Sequence, residues 1–167
     1  DRDFDPWAET MQDEETVRYI GGEVLDRAKT WRNMAAVIGH WQIRGYGFFS
    51  VENKETGEWV GRVGPWFPEG WPAPEIGWTI ARDHWGKVYA SEAAFASLEF
   101  VRDVLGWESV IHVILDGNAA SVGVAEKGGS LLNRQFVHDW RIHSEARVQE
   151  RRHSRSRVAG PNVGHLS

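Results

Sequence analysis

Apolar residues recur at close to helical spacing over residues 24–44, at Val24, Leu25, Ala28, Trp31, Ala35, Ile38 and Ile43. That period predicts an amphipathic helix whose apolar face carries those side chains, stopped by Gly45. Before it, residues 5–18 predict a short polar helical region that opens on the start signal Asp5-Pro6. After Gly45 the runs become strand-like: 46–53, the turn 54–57 and the returning run 58–67 predict a hairpin. A loop with three prolines, 68–74, leads to a third strand at 75–81. A long helix follows from about Gly86 to Leu105, with Ala90, Ala93, Ala94, Ser97, Leu98, Val101 and Leu105 on its inner face. Many of these are small, so the helix can lie close to a sheet. The run 109–115 is almost continuously apolar, the mark of a central strand covered on both faces. Residues 116–129 predict a loop, a cap at or near Asn118, a short helix and a glycine stop. Residues 131–145 predict two last strands about a turn near His138-Asp139. This order gives an α+β fold with a mixed sheet and helices on its faces.

No internal repeat or linker interrupts residues 1–145, which form a single domain of a size that supports a proper core. Residues 146–167, with Arg147, Arg151, Arg152, Arg155 and Arg157, are set apart as an Arg-rich tail and expected to be mobile. Composition changes this picture at a few points. The net charge of −5 argues against general nucleic-acid binding. The ten tryptophans predict large aromatic walls in the core or a pocket, because an indole buries much area and has one N–H to satisfy. The absence of cysteine removes disulfide and thiolate chemistry and fits a cytoplasmic location. No apolar run is long enough to predict a membrane span, and no His, Asp and Glu spacing predicts a metal.

The stretch HWGKVYASEAA, residues 84–94, joins the third strand to the long helix. A helix start offers free N–H groups and the positive end of a dipole, so a strand feeding one makes an anion site. Gly86 removes a side chain where backbone must approach a ligand, Lys87 adds a point charge, and Tyr89, Ala90 and Ser91 complete the first turn. Alone, the stretch is as readily an ordinary turn. Gly77 inside EIGWTI predicts a bulge that splays this strand from its neighbour and exposes amides. NAASVGVAEKGG lies directly after the next strand. Together these elements predict a V-shaped opening between two strands with a phosphate site at its rim.

Glu75-Ile76-Gly77-Trp78, Trp85 through Ala93, and Asn118-Ala119-Ala120-Ser121 with Val124-Ala125-Glu126-Lys127 together resemble the GNAT acetyltransferases, in particular the branch that acetylates ribosomal-protein N-termini. VRYIGG (17–22) and the hairpin fit as well, and the likeness covers about residues 4–145. The resemblance implies a mostly antiparallel mixed sheet with helices on both faces and a V-shaped cleft between two central strands. It implies an N-acetyltransferase that moves acetyl from acetyl-CoA directly to a primary amine, either a protein N-terminus or a small molecule. A homodimer is common among similar proteins. The pantetheine arm would run along Trp78, Thr79, Ile80 and Ala81. The pyrophosphate would sit on the turn formed by Trp85, Gly86, Lys87, Val88, Tyr89 and Ala90, with Ser91 and Lys127 counted beside them. Asn118 would bond the pantetheine, Ser121 would protonate the leaving thiolate, and Glu75 is the candidate base, acting through water. The loop PWFPEGWPAP (65–74) lies where the family's acceptor site opens, so Trp66, Phe67, Trp71 and Glu75 are candidate acceptor contacts.

Each of these residues also has a plainer role. Glu75 reads equally as a surface carboxylate, Asn118 and Ser121 as helix caps, and the aromatic rings as a seal or a dimer contact. His112 reads as a core residue with one satisfied hydrogen bond, and His84 as a second candidate at the acceptor site. The sequence also departs from the family. Val88 replaces a central glycine, and its branched carbon is expected to narrow the phosphate approach at a cost of about 1–3 kcal/mol. Gly128 replaces a leucine, a loss of about 2–5 kcal/mol if that site is buried. LDGN (115–118) replaces a proline-containing loop. No strand is predicted before the first helix; either the natural start is missing or a sheet edge is left open. Val88 and Gly128 favour an alternative, a degenerate GNAT-fold protein with weakened CoA binding that serves as an interaction module. A third reading attaches the Arg-rich tail to RNA or the ribosome.

Overall fold

The computed structural model describes residues 2–129, 131–137 and 140–147. The polar opening segment folds as two helices, α1 (Phe4–Gln12) and α2 (Glu14–Val17). Asp13 divides them: its carboxylate accepts from Thr16 N at 2.9 Å and from Thr16 Oγ1 at 2.6 Å, capping α2. The next helix, α3 (Arg27–Arg44), starts three residues later than its apolar pattern predicts, because the Asp26 carboxylate caps Lys29 N at 2.7 Å. Gly45, at φ +78°, ends it as expected.

The predicted inner face of α3 is wrong. Trp31, Ile38 and Ile43 are 58%, 54% and 81% exposed, and Ala28 and Ala35 are exposed too. The buried face is Thr30, Met34, Val37 and His40. It has the same helical period with a shifted phase, and two of its members are polar. Their polar atoms are bonded inside the fold: Thr30 Oγ1 donates to Asp26 O at 2.9 Å, and His40 bonds Tyr46 O at 2.7 Å. His40 Nε2 accepts from Phe67 N at 3.2 Å, which places the proton on Nδ1 and ties the Trp-rich loop to α3.

The sheet holds β1 (Phe49–Glu52), β2 (Trp59–Trp66), β3 (Glu75–Ile80), β4 (Ser109–Val113), β5 (Leu131–Val137) and β6 (Trp140–Arg147) in the order β1-β2-β3-β4-β6-β5. Every pairing is antiparallel except β3 with β4. The fold is therefore mixed α+β and mostly antiparallel. β4 is interior to the sheet, as its apolar run predicts. β6 extends to Arg147, which pairs with Ser109, so that residue belongs to the sheet and not to the tail. The turn at His138-Asp139 and the rest of the tail lie outside the described residues. Among the described residues no strand precedes α1, and β1 forms one edge of the sheet.

Helices cover both faces. On one, α4 (Tyr89–Asp103) sets Ala94 and Val101 against Val60, Ile76, Ile80 and Val110, with Ala90, Ala93, Leu98 and Leu105 partly buried around them. That is the face predicted for this helix. On the other, Trp7 and Met11 of α1 meet Met34 and Val37 of α3 over Trp59. The short helix α5 (Ala119–Lys127) follows β4, capped by Asn118 and ended at Gly128. No leucine-sized void opens at Gly128, because a Cβ there would meet Ala125 O at 3.1 Å and Leu98 Cδ1 at 3.5 Å. The expected loss of a core anchor is therefore not found.

Candidate active site

β3 and β4 run parallel but share a single register pair, Glu75 with Ile111. Ile111 N donates to Pro74 O at 2.8 Å, and then side chains take over the backbone groups that would continue the ladder. Val113 N donates to Glu75 Oε1 at 3.1 Å, and His112 Nδ1–H donates to Ile76 O at 2.6 Å. The strands consequently part. Gly77 causes no bulge, contrary to the sequence reading, since the β2–β3 register runs unbroken through it. The irregularity falls on β4, between His112 and Val113 against β6. Gly77 instead makes room for a ring, because a Cβ there would lie 3.2 Å from Phe48.

A cleft of about 640 Å³ fills the opening and runs from the Trp-rich loop to the start of α4. At its far end Trp85 is anchored by Nε1 to Ile80 O at 2.7 Å, and Gly86 turns the chain at φ +71°. Lys87 Nζ rests on Asp83 O at 3.1 Å. The first helical bond of α4 is Glu92 N to Val88 O at 2.9 Å, so the amides of Tyr89, Ala90 and Ser91 precede it. Helix α4 therefore begins at Tyr89, later than predicted, after a 3-10 turn at Arg82–His84. Val88 occupies its N-cap position, 60% exposed and not among the residues that line the cleft. The expected narrowing by its branched carbon does not occur.

Across the cleft, Asn118 Oδ1 accepts from Ser121 N at 3.1 Å, so Asn118 is the helix cap and also a wall residue. Ser121 Oγ accepts from Trp78 Nε1 at 3.1 Å, which leaves its own hydrogen to donate elsewhere. His112 is buried and lies 4.9 Å from the Trp78 ring. Burial lowers its pKa to about 4 against the bond to Ile76, so the ring is neutral.

Glu75 is 6% exposed. Its Oε2 accepts from Trp71 Nε1 at 2.6 Å and its Oε1 from Val113 N. These bonds favour the ionised form, yet burial prevails and raises the pKa to about 7. A carboxylate of that basicity is suited to take protons near neutral pH.

The cleft gathers most of the predicted site: Trp66, Trp71, Glu75, Trp78, Thr79, Ile80, Trp85, Gly86, Lys87, Ala90, Ser91, Asn118, Ser121 and Lys127. Four predicted residues are not in its wall. Ala81 and Val88 lie outside it, Tyr89 turns its hydroxyl to Asn53 Nδ2 at 2.9 Å, and Phe67 lies under Arg44 at 5.9 Å. Other wall residues gave no sequence signal, chiefly Arg62 and Phe48 from the hairpin and Asn33, Ala36 and Val37 from α3. His84 is buried and lines the cleft, with Glu58 Oε1 3.4 Å from its Nε2 and with Nδ1 unpartnered.

The arrangement suits acetyl-CoA. Among the described residues, no strand pairs with β3 along the opening beyond Glu75, and the amides at the start of α4 precede its first helical bond at a glycine turn. The sequence profile of the acetyltransferase (GNAT) domain matches residues 1–130. A curated relative, the uncharacterized protein YkkB of Bacillus subtilis, is 41% identical over 90 residues. That match spans 52% of this chain and 52%, about half, of the relative. Among solved structures, an acetyltransferase from Agrobacterium tumefaciens superposes with a TM-score of 0.78 at 24% identity, covering 87% of this chain and 85% of its own. A spermidine N-acetyltransferase from Vibrio cholerae, in complex with CoA and spermine, superposes with a TM-score of 0.68 at 15% identity, covering 86% and 88%.

Proposed function

The chain belongs to the GNAT acetyltransferase family, and on that premise we propose that it transfers an acetyl group from acetyl-CoA to a primary amine. One observation carries the reading: one cleft, opened where β3 leaves β4, has the start of helix α4 at one end and a buried, basic carboxylate at the other. Trp78, Thr79 and Ile80 would hold the pantetheine arm together with Asn118, and the backbone from Trp85 to Ser91 would hold the pyrophosphate. When bound, acetyl-CoA supplies the acetyl group as an activated thioester.

The chain's own groups supply the rest. Glu75 takes a proton from the acceptor ammonium through water, leaving a neutral amine to attack. The Ser121 hydroxyl, held by Trp78, would give its proton to the departing sulfur and regain one from the nitrogen that has attacked. Trp66 and Trp71 wall the acceptor side, and the bond from Trp71 to Glu75 ties that wall to the base. The acceptor is a protein N-terminus or a small amine. The finer assignment to the ribosomal-protein branch, as a homodimer, rests on the motif likeness, and a cytoplasmic location on the absence of cysteine. The interaction-module alternative loses its two supports, since Val88 points away from the cleft and no void lies at Gly128.

Titration calorimetry tests the reading. We expect one acetyl-CoA site per chain of micromolar affinity, unchanged in Val88→Gly. No binding by either protein removes the acetyltransferase reading. Binding by the glycine variant alone puts the valine back in the phosphate path.

A further inference from the structure

Arg62 lies on β2 opposite Thr79 and is 8% exposed, yet its side chain lines the cleft. Its guanidinium sits between the rings of Trp7, at 4.6 Å, and Phe48, at 4.7 Å. Nη1 donates to Asn33 Oδ1 at 3.1 Å, and Nε is buried without a partner. No carboxylate among the described residues pairs with it. A guanidinium has five N–H donors, and one bond uses one of them. Two aromatic faces offset part of the cost of withdrawing this charge from water. They do not satisfy its N–H groups, and a buried cation without an anion is expensive. Burial lowers its pKa to about 10, so it stays cationic at neutral pH.

The position of this charge matters as much as its isolation. Arg62 pairs with Thr79, and Glu75 begins the same strand with Gly77 between them. Alternate residues of a strand share a face, so Glu75, Gly77 and Thr79 point the same way. The Phe48 ring takes the place of a side chain at Gly77, 3.2 Å from where a Cβ would lie, and so stands beside both groups on that face. Four residues of strand separate Glu75 from Thr79, the residue opposite Arg62, by about 13 Å between Cα atoms. The wall that holds the base therefore also holds an unpaired cation.

We propose that Arg62 is a carboxylate subsite, so that the preferred acceptor is an amine that also carries a carboxylate: the amine goes to Glu75 and the carboxylate to the guanidinium. The role of the amine end rests on the acetyltransferase reading. The carboxylate end rests on Arg62 alone.

The test uses matched pairs in which only the anionic group changes: glycine and glycinamide, glycylglycine and its amide, 4-aminobutyrate and its amide. Binding to the full chain is measured by calorimetry, with and without saturating CoA, for the parent, Arg62→Met and Arg62→Lys. We expect at least one acid to bind about 10- to 100-fold more tightly than its amide, the range of a hydrogen-bonded charge pair. Arg62→Met should lose that preference and Arg62→Lys should keep part of it. A merely structural arginine would weaken acid and amide alike and leave their ratio unchanged. Equal binding of acid and amide across the panel, or a preference that survives in Arg62→Met, overturns the proposal. Acetyl-CoA titration of the same three proteins separates the two readings. Acetyl-CoA binding without acid preference removes the subsite and keeps the acetyltransferase. Acid preference without acetyl-CoA binding does the reverse.

Discussion

At the scale of single residues, environment makes the chemistry. Glu75 is an ordinary glutamate in the sequence, and the motif around it nominates it without setting its basicity. That comes from burial, which outweighs the bonds from Trp71 and Val113 and raises its pKa to about 7. With Glu75 as base, kcat/KM for acetyl transfer should rise with pH up to about 7 and level off above it. Glu75→Gln should lower kcat by about 10²- to 10⁴-fold, the usual size of a general-base contribution. A pH profile flat between 5 and 9, or a variant with near-normal kcat, would move the base elsewhere, with His84 the next residue to try. Arg62 shows the opposite limit of legibility. An arginine within a strand reads as a solvated charge, since arginine is rarely buried. Only the enclosing rings of Trp7 and Phe48 reveal it, and they come from distant parts of the chain.

At the scale of elements, the sequence was informative about type and less so about orientation. Helices α3, α4 and α5, the hairpin, β3 and the interior strand β4 all lie where period and stop signals put them, within a few residues. The long inner face of α4 was legible because small and apolar residues coincide on it. The inner face of α3 was not, because its largest aliphatic residues are the exposed ones and its buried ones include Thr30 and His40. The two faces give opposite predictions for stability. Met34→Ala should cost about 2–5 kcal/mol in urea unfolding, as a core truncation. Ile38→Ala, on the exposed side, should stay within about 0.5 kcal/mol of the parent. A large loss at Ile38 would mean that this face is covered in solution. The opening between β3 and β4 was predicted in the right place for the wrong reason. Gly77 suggested a bulge, whereas the strands part because Glu75 and His112 occupy the groups of the missing ladder, a long-range pairing that local sequence does not encode.

At the scale of the whole molecule, the sheet is two three-stranded halves, β1-β2-β3 and β4-β6-β5, joined by a single backbone register pair and by two titratable side chains. Glu75 bonds Val113 across the seam from one side, and His112 bonds Ile76 from the other. Burial shifts them in opposite directions, because it disfavours the charged form of both. The Glu75 carboxyl ionises near 4.5 in the unfolded chain and near 7 in the fold. Its effect is absent below pH 4.5, and stability is lost as pH rises from there to about 7, by about 3 kcal/mol. The His112 ring protonates near 6.5 when unfolded and near 4 in the fold. Its contribution is fully present above pH 6.5 and is lost as pH falls toward 4, again by about 3 kcal/mol. Between pH 4.5 and 6.5 the two slopes oppose, so the seam should hold nearly constant strength there. Single variants break this balance. Measured against the double variant Glu75→Gln/His112→Gln, urea unfolding of His112→Gln should show stability falling with rising pH, and Glu75→Gln should show it rising. Two parallel profiles would mean that neither side chain is desolvated at the seam. The opening would then have to be held by some other contact.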